Sequence, residues 1–131
     1  MRDWINAPDD IEPYIGFCYC VKELDTGMLY IGIKRFWMKV TRPPLKGKKN
    51  KRRSIKESNW KEYTTSSKIM QEKLKRNPNN YQRIILHCCK TVTELRAREA
   101  YIQLSYYFNN DWHRLYNQVI NLRLRIPKIK R

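Results

Sequence analysis

Two tyrosines, one glutamate and a group of cations are the residues whose types and spacing fit together as chemistry. Tyr19 and Tyr30 stand in two short apolar runs, Phe17 to Val21 and Leu29 to Ile33, on either side of Asp25-Thr26-Gly27. β-Branched, aromatic and sulfur side chains around a glycine-containing turn predict an antiparallel hairpin. Side chains alternate along a strand, so Phe17, Tyr19 and Val21 share one face while Cys18 and Cys20 share the other. Lys34-Arg35 follows the second run directly. Two phenols on adjacent strands beside cations form a candidate phosphate site.

Glu99 is the second chemical signal. Thr91 and Glu94 form a capping box, and Leu95, Ile102 and Tyr106 continue as an apolar helical period. Glu99 falls on that inward stripe, where a carboxylate is costly unless paired with a cation or a metal. A buried salt bridge to an arginine such as Arg83 and a metal-ligand role both satisfy that requirement.

The remaining elements must hold these residues in place. Residues 1–13 read as an N-terminal arm or packed strand carrying Trp4. Residues 39–56 are dense in Lys and Arg, with Pro43-Pro44 and Gly47 and no apolar period, and read as a mobile loop. Ser58 to Tyr63 reads as one helical turn, and Thr64 to Ser67 offers caps for a helix ending at Arg76. Asn77-Pro78-Asn79-Asn80 stops that helix, and Tyr81 to Cys89 reads as a third strand centred on Ile84, Ile85 and Leu86. Tyr107 to His113 forms a polar, aromatic connection. Tyr116 to Ile120 reads as a short strand or final turn, and 123–131 as a basic tail able to add phosphate contacts. The expected organisation is one domain over 14–122 with a basic insert at 39–56.

Composition narrows the function classes. The 131 residues include 28 Lys and Arg against 12 Asp and Glu, a formal charge of +16. Self-repulsion on that scale points to a polyanionic partner, nucleic acid first and an anionic membrane surface second. No apolar run approaches the roughly 20 residues that span a bilayer, and no signal segment opens the chain, so an intracellular, cytoplasmic protein is expected. Cys18, Cys20, Cys88 and Cys89 lack zinc-knuckle spacing and read as small buried hydrophobes, even with His87 adjacent.

These motifs resemble those of the GIY-YIG nucleases. The second half of the signature is literal as Tyr30-Ile31-Gly32; Phe17-Cys18-Tyr19 stands in place of the first half, with Gly16 just before. Tyr14-Ile15-Gly16 is a decoy, with no tyrosine-bearing strand ahead of it. The segment Leu95, Arg98, Glu99, Ala100, Tyr101, Ile102 is similar to the family's glutamate helix, and Tyr116-Asn117 to its terminal Tyr-Asn element. A closer resemblance is to the small phage-encoded branch with SegE-like domains. There a Tyr-Ile-Gly-x-Lys-x-Phe run precedes a basic insert and a Lys-Glu-Ser-x-Trp-Lys-x-Tyr-x-x-Ser-Ser block. Here these are Tyr30 to Phe36 and Lys56 to Ser67.

The resemblance implies an α+β fold, a small three-stranded antiparallel sheet flanked by helices. It also implies hydrolysis of double-stranded DNA with one divalent metal, Mg2+ or Mn2+. In that reading Tyr19 accepts the proton of the attacking water, its pKa drawn down by Lys34 and the metal, and Tyr30 orients the water or contacts the phosphate. Glu99 holds the metal, and Asn117 supports the site. Many members carry an arginine on a helix after the second tyrosine; here that place is the insert, so Lys34, Arg35, Lys39 and Arg42 are clamp candidates, Lys34 first. Tyr63 stands where a histidine or further tyrosine often assists. Lys39, Arg42, Lys46, Lys48, Lys49, Lys51, Arg52, Arg53 and Lys56 are expected to touch DNA. A non-catalytic nucleic-acid-binding protein on the same scaffold is the competing reading. No obligatory protein partner is evident. Cutting both strands from one site requires either a homodimer on DNA or two sequential nicks, and homing, restriction and host-DNA degradation are all open as roles.

Overall fold

The computed structural model of the chain describes residues 3–120, 122, 124, 126 and 128. Most of the basic tail at 123–131 lies outside the described residues.

The hairpin at the centre forms as its sequence requires. Strand β1 (Gly16–Glu23) pairs antiparallel with β2 (Leu29–Arg35), Tyr19 opposite Gly32 and Val21 opposite Tyr30. Gly27 closes the turn at φ +74°, a conformation that costs glycine nothing. Two further strands, β3 (Trp37–Arg42) and β4 (Arg52–Glu57), make a separate two-stranded sheet. Helix α1 (Lys68–Arg76) follows, capped by the Ser67 hydroxyl on the Met70 N–H. Strand β5 (Tyr81–Cys89) then pairs antiparallel with the other side of β1, giving the order β2-β1-β5. Helix α2 (Val92–Phe108) completes the α+β fold.

Each sheet face has its own core. Phe17, Tyr19 and Val21 pack with Trp4, Phe36, Trp60, Met70, Leu74, Tyr81 and Ile85. Cys18, Cys20, Leu29 and Ile31 face Ile102 and Tyr106, so α2 covers the opposite side. The central strand is buried on both faces, which is why its sequence is continuously apolar rather than alternating. The four cysteines are free and occupy packing positions, and among the described residues no cluster of metal-binding side chains forms around them. Trp4 anchors the N-terminal segment through its indole N–H on the Trp60 carbonyl, and Ile5 forms a parallel bridge with Ile84.

Two elements differ from expectation, and a third leaves one of its two expected forms. The 39–56 insert is a β-ribbon around a shorter 43–51 connection, not a loop. Trp37↔Glu57 through Arg42↔Arg52 pair in unbroken register, and Val40, Thr41 and Ile55 supply the β-branched residues that interrupt the Lys/Arg run. Leu86 is not a strand centre: the ladder jumps from Cys18↔His87 to Tyr19↔Ile85, leaving Leu86 in a bulge at 40% exposure. Tyr116 to Ile120 forms no strand. Leu115 makes a parallel bridge to Leu29, the Tyr116 N–H donates to the Leu29 carbonyl, and Asn117 continues along β2 through its side chain.

Candidate active site

Alternation along β1 and β2 assembles the site. Tyr19 on β1 and Tyr30, Gly32 and Lys34 on β2 belong to one face, because paired residues project to the same side. The Tyr19 ring lies 6.4 Å from Tyr30 and meets the edge of Tyr63 at 6.1 Å. The Lys34 ammonium sits 4.4 Å above the Tyr63 ring. Tyr19, Tyr30, Lys34 and Tyr63 are therefore brought together.

Gly32 makes this close packing feasible. A Cβ at position 32 would come within 2.5 Å of the Tyr19 hydroxyl oxygen and 2.6 Å of Cζ. The glycine of the Tyr-Ile-Gly run is thus the floor on which the Tyr19 phenol rests. The first half of the signature also keeps its geometry: Phe17 and Cys18 are fully buried packing residues, and Tyr19 stays opposite Gly32.

The two phenols are in different electrostatic settings. Tyr19 is fully buried and donates to the Thr65 hydroxyl at 3.4 Å. Burial pushes its pKa well above the ordinary tyrosine value, the Thr65 hydrogen bond pulls the other way, and Tyr63 and Tyr30 add to the rise. The expected pull of Lys34 toward phenolate is not seen: the ammonium sits over Tyr63, and desolvation dominates at Tyr19. The half-buried Tyr30 shares a 3.3 Å hydrogen bond with Ser66 at the exposed end of the cluster. Burial likewise lowers Lys34 below the ordinary lysine value.

Thr65, Ser66 and Arg83 are site-building residues that sequence reading missed. The Thr64 to Ser67 run looks like a set of helix caps, but only Ser67 caps; Thr65 and Ser66 turn toward the tyrosines. Arg83 projects from β5 on the Val21 side, donates to the carbonyls of Lys61 and Tyr63, and lies 4.7 Å from the Trp4 ring. It fixes the segment bearing Tyr63. The alternative pairing of Arg83 with Glu99 does not fit this placement, since the two project from opposite faces of the sheet.

Glu99 and Arg35 lie across the sheet from the tyrosines. Glu99 shares the α2 face that carries Ile102, and its charge is felt by Cys18. Arg35 alternates away from Lys34, and its carbonyl accepts from the Ser58 hydroxyl at 2.6 Å. On the β2 side the two faces meet around that strand's free edge, since β1 occupies its other side. Asn117 closes part of that edge: its Oδ1 accepts from the Ile31 N–H at 2.9 Å and its amide donates to the Ile31 carbonyl at 2.8 Å. Tyr116 is tied back through its hydroxyl to Glu23 at 2.9 Å. Beyond Asn117, around Ile33, the edge opens into a groove of about 600 Å3 lined by Ile33, Lys34, Arg35 and the ribbon residues Trp37, Lys39 and Ile55.

Glu99 suits a hard divalent cation. Burial raises its pKa while Arg96 opposes, and no hydrogen bond or ion pair reaches it among the described residues. No group of three or more potential ligand side chains forms among the described residues. A single carboxylate does not make a structural zinc site, whereas a hard divalent cation can be held by one carboxylate that leaves the rest of its shell to water. The nine insert cations, Lys39 through Lys56, all lie exposed on the ribbon and its connection.

Comparison with known proteins agrees with this arrangement. The family model described as "Putative endonuclease segE, GIY-YIG domain" matches residues 3–120. No curated protein and no solved structure matches the chain. With its literal Tyr-Ile-Gly strand, the tyrosine opposite that glycine and a match over most of its length, the chain belongs to the SegE-type GIY-YIG endonuclease domain family.

Proposed function

We propose that this protein is a divalent-metal-dependent endonuclease for double-stranded DNA. The observation that carries the reading is the convergence of Tyr19, Tyr30, Tyr63 and Lys34 on one face of the β1–β2 hairpin, with the half-buried Glu99 on the opposite face. A non-catalytic remnant would have no need to keep such a carboxylate partly desolvated.

Phosphodiester hydrolysis needs a positioned water, cations where charge develops, and help for the departing 3′ oxygen. Tyr30 has the accessible hydroxyl, so it contacts the water. Tyr19, sealed against Thr65 and Gly32, is a neutral phenol that holds the Tyr30 and Tyr63 rings in place, and the water's proton passes to Tyr30 in its phenolate form. Lys34 supplies positive charge next to the phosphate, and Arg35 supplies it from the opposite face. Glu99 would hold Mg2+ or Mn2+, which when bound stabilises the leaving oxygen. Asn117 keeps β2 straight at the point where both faces are used.

Cleavage of supercoiled plasmid by the wild type, Tyr19→Phe, Tyr30→Phe and Glu99→Gln tests this directly. Nicked or linear product is expected only with a divalent metal, with Glu99→Gln binding DNA but not cutting it. Tyr30→Phe is expected to lose at least 100-fold in rate, the scale of one general acid–base group. Wild-type protein that binds DNA yet never cuts it with Mg2+ or Mn2+ would leave the binding-only reading standing.

A further inference from the structure

The ribbon formed by β3 and β4 has more cations than its own stability can explain. All six residues of β4 are exposed, as are Met38, Lys39, Thr41 and Arg42 of β3. Only its root is fixed: Phe36 is buried, the Trp37 indole donates to the Tyr14 carbonyl, and the Ser58 N–H donates to the Phe36 carbonyl. A lone two-stranded hairpin is marginal in water. Arg42 directly opposite Arg52 weakens it further, since like charges facing across strands repel. Nine Lys and Arg side chains lie between Trp37 and Glu57 against a single acid. Such an element is stabilised best when a polyanion surrounds it.

Both faces of the ribbon are cationic, and they face different surroundings. Lys39 and Ile55 pair on the side that lines the groove against Ile33, Lys34 and Arg35. Alternation puts Arg42, Arg52 and Lys56 on the other side, whose Met38 at the ribbon root also reaches the groove. A ribbon lying flat on one phosphate row would use one such face; two cationic faces can engage phosphate on both sides. A DNA groove provides that. The major groove, about 12 Å wide, admits a two-stranded ribbon, whereas the minor groove at about 6 Å does not without distortion. Six paired residues at roughly 3.4 Å each extend about 20 Å, close to the rise of six base pairs.

We propose that the β3–β4 ribbon enters the major groove of duplex DNA, the strand to be cut passing between the ribbon's inner face and the open edge of β2. The opposing strand lies against Arg42, Arg52 and Lys56. The proposal rests on DNA as the substrate and adds that the protein recognises the duplex rather than a single strand. It also gives the ribbon a task in the reaction, delivering one strand's phosphates to the β2 edge beside Lys34.

The test is binding of the full chain to a duplex oligonucleotide in EDTA, where no cutting is needed, with dimethyl sulfate as the groove probe. Wild-type protein is expected to shield guanine N7, which lies in the major groove, over about six base pairs, leaving adenine N3 in the minor groove reactive. A triple variant, Arg42→Gln, Arg52→Gln and Lys56→Gln, is expected to lose that protection. Its salt slope should fall by about 2.7, so that affinity lost between 50 and 200 mM salt shrinks about 40-fold. A thermal melt checks that it still folds, as three exposed side chains permit. Protection of adenine N3 instead, no N7 protection, or an unchanged salt slope would overturn the proposal. Protein that shields N7 but never cuts with Mg2+ overturns the nuclease reading alone. Protein that cuts without shielding N7 overturns the ribbon proposal alone.

Discussion

Gly32→Ala is the sharpest probe of how the fold builds its tyrosine pair. A methyl group at this position would stand 2.5 Å from the Tyr19 hydroxyl oxygen, 2.6 Å from Cζ and 3.0 Å from Cε1. The ring has little room to retreat, with Trp4 at 5.4 Å, Phe17 at 6.1 Å and Tyr63 at 6.1 Å around it and no solvent-exposed side. Overpacking of this kind costs about 1–3 kcal/mol, so the melting temperature should drop by roughly 3–15 °C for a domain of this size. Cleavage should fall further than stability, because Tyr19 must shift against Tyr30 and Tyr63. Tyr19→Phe alone breaks only a long hydrogen bond to Thr65 and should cost about 0.5–1 kcal/mol. Combining the two changes removes the closest of the three clashes, so the double variant should lie closer to Gly32→Ala alone than to the sum. Urea denaturation of all four proteins measures the coupling. Additivity within about 0.3–0.5 kcal/mol, or a Gly32→Ala protein as stable and active as the wild type, would refute the contact.

Other residues give shorter tests. Glu23 is buried, which raises its pKa, but the hydroxyls of Thr26, Tyr81 and Tyr116 with nearby Lys73 together hold it below the ordinary carboxylate value. Its contribution to stability is therefore present above about pH 4.5 and lost as pH falls below it, and Glu23→Gln should flatten that acid limb in a melting series. Glu99 has the opposite sign: burial raises it, so without metal its charging costs stability as pH rises through its titration. Glu99→Gln should match or exceed the wild type in melting temperature without metal, and Mg2+ should stabilise only the wild type in the same scan. Asn117→Ala removes both amide bonds to Ile31 and should cost about 1–3 kcal/mol by denaturant titration. It should also slow cleavage without changing the metal requirement.

What could be read from the sequence was whatever short-range pattern decides. The hairpin, the Ser67 and Thr91 caps and the third strand follow from turn chemistry, capping and β-propensity within a few residues. The ribbon was hidden because Lys and Arg occupy both of its faces, erasing the period of two that marks a half-buried strand. Thr65 and Arg83 were hidden for another reason: their partners lie 46 and about 20 residues away in the chain, and only the closed fold brings them to Tyr19 and Tyr63. The same limit applies to the site. Sequence spacing put Tyr19, Tyr30 and Glu99 in one chemical set, but period-two alternation along the strands and the packing of α2 place them on two sides of one sheet. On the proposed reading, a phosphodiester would meet both sides at the uncovered part of β2 between Asn117 and the ribbon root. That placement would give a use to an edge that proteins usually cover and that is left open here at Ile33.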